Sequence, residues 1–231
     1  MQISTLMRSF AGSRVYQVLL AGQVGHDEAD YLEGEGADLR FVRIENLQRE
    51  LRPSKDAHAL AQICHFMRGF KPDIVHTHTA KAGSLGRAAA ILTRTSAKRI
   101  HTFHGHLLHG YFSDAQTRRI IRVEQSLARR SDRLIAVGDQ VKWDLLNAGI
   151  GHEDQFRVVP PGIALRQLPT QALARSKLGL PPDRQVVSFI GRLTPIKRID
   201  RLIEVIRQSA AINPRVHFVI AGDGTEDPAP T

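Results

Sequence analysis

Cysteine is nearly absent from this sequence, and long hydrophobic runs are absent altogether. The single cysteine, Cys64, excludes an internal disulfide framework and fits a reducing compartment. Because Cys64 lies among Leu60, Ile63 and Phe66, we expect a buried structural thiol rather than a nucleophile. No apolar run approaches the roughly 20 residues of a membrane span, and the first residues lack a signal-peptide pattern. We therefore expect a cytoplasmic protein.

The charge balance is strongly basic. The 231 residues include 32 Lys plus Arg against 23 Asp plus Glu, a formal net charge of +9. A surplus of this size suits anionic partners, which include nucleotide phosphates, acidic lipid head groups and nucleic acids. Charge alone does not choose among them, so the choice depends on local motifs.

Short apolar runs alternate with amphipathic segments along most of the chain. Strands are predicted in eight places, at residues 16–21, 39–44, 74–76, 99–103, 133–137, 156–159, 186–190 and 216–221. Helices are predicted between them, at residues 56–70, 80–95, 117–130, 140–148 and in the segment after Pro195. This alternation predicts an α/β fold with parallel, doubly wound sheets.

A proline-rich stretch predicts the domain boundary. Residues 160–183 contain five prolines and little apolar periodicity. We place a first domain at residues 1–163, a linker at 164–185 and the start of a second domain at 186–231.

Two histidine clusters follow predicted strands of the first domain. One begins at His76 and includes His78 and Lys81, and the other runs from His101 to His106. Ligands of open α/β sheets bind at the carboxyl ends of strands, where the two clusters are expected to meet. The residues themselves leave two alternatives open: the histidines hold a metal, as the spacing His-x-His permits, or they cap strand ends.

The stretch from Val186 to Val205 predicts an anion site. A buried strand ends at Gly191, Arg192 and Lys197 follow in a short loop around Pro195, and a helix begins behind them. Free N–H groups at a helix N-terminus favour an anion, and two long cations strengthen that preference. The pattern therefore indicates a loop that binds a diphosphate. The alternative is a solvated turn between a strand and a helix.

These segments resemble the GT-B retaining glycosyltransferases of family 4. The resemblance is carried by GRLTPIKRIDRLIEV from Gly191, by HTFHGH from His101 and by RVVPPGI from Arg157. It implies two doubly wound Rossmann-like domains and transfer of a sugar from a nucleotide diphosphate, expected to be a UDP-sugar. The implied acceptor is a cell-surface polysaccharide or a lipid-linked molecule. Many members carry Gly where this chain has Arg198.

The resemblance also implies roles for individual residues. His104 matches the catalytic-site histidine that orients the donor sugar, and His78, Lys81 and His106 are expected on the acceptor side. The diphosphate is expected to be bound by Gly191, Arg192 and Lys197. Gly222 and Gly224 are candidates for the nucleotide loop. No cofactor and no divalent metal is expected, because side chains and a helix N-terminus neutralise the leaving diphosphate in such enzymes.

Compared with the family, the chain is expected to be truncated at both ends and its second domain incomplete. The two-glutamate motif that contacts the donor would lie beyond residue 231, so we expect very weak or no transferase activity from this chain. One alternative is a nucleotide- or phosphate-binding fragment without catalysis. Another is a metal-dependent hydrolase built on the histidines.

The segment of residues 117–133, which contains the predicted helix, is rich in arginine. It holds six arginines, and Arg118, Arg119, Arg122 and Arg129 are expected to point away from the sheet. The pattern indicates either a solvated helix face or a peripheral contact with the inner face of the membrane. No recognition motif and no interleaved aromatic residues accompany the arginines, so nucleic acid is not an expected partner.

Overall fold

The computed structural model describes residues 2–25, 29–48, 50–105, 114–162 and 167–224. It divides into two compact units, Met1–Ala164 and Leu165–Thr231, and each unit is described by itself.

The first unit contains parallel strands in two sheets. The strands are β1 (Leu19–Ala21), β2 (Phe41–Arg43), β3 (Ile74–His78), β4 (Lys98–Phe103), β5 (Arg133–Ala136) and β6 (Phe156–Val158). β1 pairs with β2, and the other strands form a four-stranded sheet in the order β3-β4-β5-β6. Parallel pairing confirms the predicted fold. β1 is shorter than predicted: Tyr16 lies outside the strand, where its ring stacks on that of Phe70 and Arg40 lies over it.

Helices follow most strands of this unit. They are α1 (Gln2–Ser9), α2 (Pro53–Phe70), α3 (Ala80–Leu92), α4 (Asp114–Ala128) and α5 (Asp139–Asn147). α2 begins with Pro53, which suits a first helical turn, and ends at Lys71, whose left-handed backbone lets its N–H donate to the Met67 carbonyl. Cys64 is buried on the inner stripe of α2, as predicted.

Two apolar clusters form the core of the first unit. The first joins α2 and α3 through residues that include Ile63, Cys64, Met67 and Ala89, with Val75 of β3. The second joins the sheet to α4 and α5 through residues that include Phe103, Ala128, Leu134 and Phe156. Both clusters hold β3 and β4 in place, and these strands carry the histidines.

The second unit has a two-stranded parallel sheet. Its elements are α6 (Gln171–Lys177), β7 (Gln185–Ile190), α7 (Ile199–Ile212) and β8 (Val216–Ala221). The strand after the linker is confirmed, but its predicted burial is wrong, because Val187 is 48% exposed and Ile190 is 81% exposed. The two strands and the helix that connects them, α7, do not cover both faces of a parallel sheet.

Candidate functional site

The two histidine clusters meet at the carboxyl edge of the four-stranded sheet. β3 and β4 are neighbours, and their register aligns Thr77 with His101 and His78 with Thr102. Since side chains alternate between the faces of a strand, the edge has two different sides. We name His76, His78 and His104 the imidazole row. The other side holds Thr77 and His101.

The imidazole row is a connected array of rings. The His76 and His78 ring centroids lie 4.3 Å apart, and those of His78 and His104 lie 5.1 Å apart at an interplanar angle of 28°. His78 Nδ1 is hydrogen-bonded to His104 Nε2 at 2.9 Å. His76 Nε2 is hydrogen-bonded to the Thr102 hydroxyl at 2.8 Å, which anchors the far end of the row. His76 and His78 are half-buried, whereas His104 is exposed.

A second group of polar residues lies under the opposite side of the same strands. We name Thr77, Arg87, His101 and Glu124 the buried polar cluster, since all four are buried. Thr77 Oγ1 is hydrogen-bonded to His101 Nδ1 at 2.8 Å. Arg87 donates from Nε to the Gly83 carbonyl at 3.1 Å and from Nη2 to both carboxylate oxygens of Glu124, at 2.9 and 2.7 Å. Arg87 Nη1 has no hydrogen-bond partner among the described residues.

Close packing of α3 brings these groups together. An added Cβ at Gly83 would lie 2.4 Å from His101 Cε1, and one at Gly86 would lie 2.8 Å from Thr77 Cγ2. Only glycine therefore lets α3 approach the strands closely enough for Arg87 to reach Glu124 of α4.

Both groups hold neutral imidazoles at pH 7. Burial, and then the neighbouring His76 and His104, lowers the pKa of His78 from 6.5 to about 3. Burial also lowers the pKa of His76 and that of His104. The pKa of His101 falls well below its ordinary value, first through burial and then through the positive charge of Arg87. Neutral rings of this kind present directed hydrogen bonds rather than charge.

The backbone is strained where β3 passes into α3. Thr79 has φ 62° and ψ 163°, a backbone region that residues other than glycine rarely adopt. Its carbonyl accepts the first helical hydrogen bond, from Gly83 N at 3.1 Å. The strain lies directly after His78, so this junction helps to set the direction of the imidazole row.

Two of the predicted acceptor-side residues have different outcomes. Lys81 lies in α3, where it forms a 2.5 Å ion pair with Asp56 of α2 and donates to the Glu50 carbonyl. Its charge is therefore already paired, and its acceptor role stays a prediction. His106 lies outside the described residues.

In the second unit, the loops after β7 and β8 lie side by side. Gly191 N donates to the Ala221 carbonyl at 2.9 Å, and Leu193 N donates to the Asp223 carbonyl at 3.0 Å. An added Cβ at Gly222 would lie 1.8 Å from the Gly191 oxygen, and one at Gly224 would lie 2.1 Å from the Leu193 oxygen. The structure thus brings the predicted nucleotide-loop glycines against the predicted diphosphate loop.

The cations of this loop are not equivalent. Arg192 and Lys197 are exposed, and among the described residues neither side chain has a hydrogen bond or an ion pair. Arg198 instead pairs with Asp200 at 2.5 Å, and its hydrogen bond lowers the pKa of Asp200 to about 2. Arg198 also has a left-handed backbone, φ 52°, which explains why glycine suits this position. The two uncommitted cations are the two that the sequence singled out.

The remaining sequence predictions concern a metal site, the arginines of α4 and membrane-spanning segments. Within the described residues, no three His, Cys, Asp or Glu side chains are arranged to hold a metal ion. Arg118, Arg119, Arg122 and Arg129 are exposed, as predicted. None of the helices in the described ranges is long and apolar enough to cross a membrane.

Sequence reasoning missed the buried polar cluster. Arg87 is fully buried, with an exposed fraction of 0%, and Glu124 is 6% exposed. A signal was present, because Arg87 lies on the stripe of small residues formed by Gly83, Gly86 and Ala90. A charged residue inside a buried helix stripe indicates an opposite charge on the neighbouring helix.

Comparisons with known proteins match the chain in two adjacent regions. A family model described as Glycosyltransferase Family 4 matches residues 3–167. A second, described as Glycosyl transferases group 1, matches residues 170–228. The imidazole row and the buried polar cluster lie in the first region, and the loop that contains Arg192 and Lys197 lies in the second.

Curated relatives are enzymes that are longer than this chain. A D-inositol 3-phosphate glycosyltransferase of Mycolicibacterium gilvum is 33% identical over 159 residues, which cover 65% of this chain and 34% of the relative. The UDP-Gal:alpha-D-GlcNAc-diphosphoundecaprenol alpha-1,3-galactosyltransferase of Escherichia coli is 28% identical over 206 residues, or 84% of this chain and 51% of the relative. The match thus spans about a third of one relative and about half of the other.

Solved structures share the fold. HepE from Anabaena, crystallised with UDP and glucose, superposes with a TM-score of 0.68 at 23% identity, covering 89% of this chain and 53% of that chain. Sucrose-phosphate synthase from Thermosynechococcus elongatus gives a TM-score of 0.69 at 19% identity, covering 95% of this chain and 64% of that chain. At these identities the likeness concerns the fold alone, and it confirms the predicted α/β fold of the GT-B type.

Proposed function

Because the chain belongs to Glycosyltransferase Family 4, we propose that it transfers a sugar from a UDP-sugar to a lipid-linked or polysaccharide acceptor, with retention of configuration at the transferred sugar. The single observation that carries the proposal is the loop after β7. There two exposed cations, Arg192 and Lys197, have no partner among the described residues. The backbone of the same loop packs closely against Gly222 and Gly224. Such a loop is suited to a diphosphate.

Arg192 and Lys197 would stabilise the leaving group. As the bond between sugar and diphosphate breaks, negative charge grows on the diphosphate oxygens, and cations already in place lower the energy of that state. Free N–H groups at the start of α7 would add to this effect. We propose that no divalent metal is needed for this step.

His104 would orient the donor sugar. Its ring is neutral at pH 7, because burial lowers its pKa, and a neutral imidazole exchanges hydrogen bonds with sugar hydroxyls without adding charge. Holding the ring of the sugar in one orientation raises the fraction of bound donor that is ready to react.

The names of two relatives support the proposed class of acceptor. The name of the Escherichia coli relative specifies a diphosphoundecaprenol acceptor, and that of the Mycolicibacterium relative specifies D-inositol 3-phosphate. Both are phosphorylated, and the lipid-linked class agrees with the sequence prediction. The exposed arginines of α4 would support peripheral contact with an anionic membrane. Co-sedimentation with phosphatidylglycerol vesicles tests this, and equal binding of wild type and Arg118→Glu/Arg122→Glu would refute it.

Thermal unfolding with and without millimolar UDP tests the main proposal. A ligand that binds only the folded state raises the unfolding midpoint. We expect UDP to raise the midpoint of the wild-type chain and to leave that of Lys197→Ala unchanged. Lys177→Ala is the matched control, because Lys177 is an exposed lysine of the same unit on α6. A shift that is absent in wild type, or that survives in Lys197→Ala, would overturn the role of the loop.

A further inference from the structure

The contacts of His78 differ from those expected of a residue that binds the acceptor directly. Its Nδ1 is already hydrogen-bonded to His104 Nε2 at 2.9 Å. Its ring lies between two other rings, with centroids at 4.3 Å from His76 and 5.1 Å from His104. His76 is in turn held by the Thr102 hydroxyl. His78 is therefore fixed on two sides and directed at His104.

A hydrogen bond between two neutral imidazoles constrains both of them. One ring nitrogen must carry the proton and the other must offer its lone pair, so the two rings adopt complementary tautomers. Both rings are neutral at pH 7, because burial lowers the pKa of each. The neutral form of each ring therefore predominates at pH 7.

The bond also decides which atom of His104 meets a ligand. Its Nε2 is occupied by His78, and among the described residues its Nδ1 has no hydrogen-bond partner. An unrestrained exposed imidazole would interconvert between tautomers and turn about its side-chain bonds. With His78 in place, the role of Nδ1 is tied to the direction of that bond: Nδ1 carries a proton if His78 donates, and it offers a lone pair if His104 donates.

We propose that His78 is a positioning residue that acts through His104, holding its ring in one tautomer and one orientation toward the donor sugar. The inference rests on the proposed function, in which His104 contacts that sugar. It replaces a direct acceptor contact by His78 with an indirect role on the donor side.

The first measurement is the tautomer of His104 in the full chain, read from long-range ¹⁵N–¹H correlations of its ring at pH 7.5. We expect a single neutral tautomer in wild type and a mixture in His78→Phe, which keeps an aromatic ring at this position but cannot form the hydrogen bond. His78→Asn should restore the single tautomer, because its amide can occupy the place of Nδ1. His76→Phe is the matched control and should leave His104 unchanged. A single tautomer in His78→Phe would overturn the proposal.

The second measurement separates the sugar from the nucleotide. Calorimetric affinities for UDP-glucose and for UDP are compared in the same variants. We expect His78→Phe and His104→Ala each to weaken UDP-glucose binding about 2- to 10-fold, the size of one hydrogen bond, without changing UDP binding. An unchanged UDP-glucose affinity in His78→Phe would overturn the positioning role alone. A wild-type chain that binds neither ligand would instead overturn the proposed function, while the tautomer measurement would still report on the contact.

Discussion

The imidazole row and the buried polar cluster occupy opposite sides of the same two strands, and they are built on different principles. The row consists of neutral rings that contact one another, with a hydrogen bond between His78 and the exposed His104 at its end. The cluster contains an ion pair, between Arg87 and Glu124, sealed under α3. The row can therefore change partners, whereas the cluster has almost no access to solvent. One strand edge thus separates a surface suited to binding from a contact that holds helices together.

The largest expected effect comes from breaking the ion pair of the buried polar cluster. Arg87→Met leaves the Glu124 carboxylate buried without its partner, which typically costs about 3–5 kcal/mol. We expect the free energy of unfolding, measured in urea, to fall by this amount. The double variant Arg87→Met/Glu124→Leu should regain most of the loss, because no buried charge remains. If the double variant were as unstable as the single one, packing rather than charge would explain the effect.

Adding one methyl group under the cluster should have a smaller effect. In Gly83→Ala the new Cβ would meet the buried His101 ring, and overpacking of this kind costs about 1–3 kcal/mol. Gly69→Ala in α2 is the control, since nothing lies within 4 Å of its added Cβ. There the gain in helix propensity should stabilise the chain by about 0.5–1 kcal/mol. Urea unfolding of both variants measures the difference, and equal changes would contradict the close approach of α3.

Lowering the pH should destabilise the fold through histidines of both the imidazole row and the buried polar cluster. The pKa of His78 is about 3 in the folded chain, against an ordinary 6.5. Between these values the unfolded chain binds more protons, so the free energy of unfolding falls as the pH drops below about 6.5 and is fully retained above it. We expect lower stability at pH 5 than at pH 7.5.

The same experiment distinguishes the contribution of His78. His78→Asn should reduce the loss of stability between pH 7.5 and 5, because one depressed pKa has been removed. His101, whose pKa is also depressed, would keep part of the loss. A pH dependence identical to that of wild type would mean that His78 is not held neutral by its surroundings.

The smallest effect on stability is expected on the row. His104→Ala removes an exposed ring, and substitutions at exposed positions usually change stability by about 0.5 kcal/mol or less. Thermal and urea unfolding should therefore hardly change, while UDP-glucose binding is weakened and UDP binding is unchanged. A large loss of stability would show that the row, like the cluster, is a structural element.

The sequence predicts many of the strands, and at the carboxyl edge of the four-stranded sheet it predicts the imidazole row. Hydrophobic periodicity located β8 at its observed bounds and β4 to within one residue. The meeting of His78 and His104 followed from parallel pairing, which brings carboxyl ends together. These features depend on local patterns and on topology, which a single sequence contains.

The buried polar cluster, on the opposite side of the same strands, depends on the packing of helices against one another, which periodicity does not show. Periodicity places Arg87 on the small-residue stripe of α3, but it does not show that Glu124 of α4 lies opposite. The exposure of Ile190 was missed for the opposite reason, because an apolar run predicts a strand but not what covers it. The strain at Thr79 depends on backbone angles that its residue type does not indicate.

The alternation along β4 limits how this edge can change during evolution. His101 and Phe103 face the helices, and Thr102 lies between them on the other side with the row. Substitutions alter one side at a time, but the gain or loss of a single residue within the strand would exchange the two sides. Descendants of this chain can therefore vary the chemistry of this edge by replacing residues. Insertions and deletions within β4 are expected to be excluded.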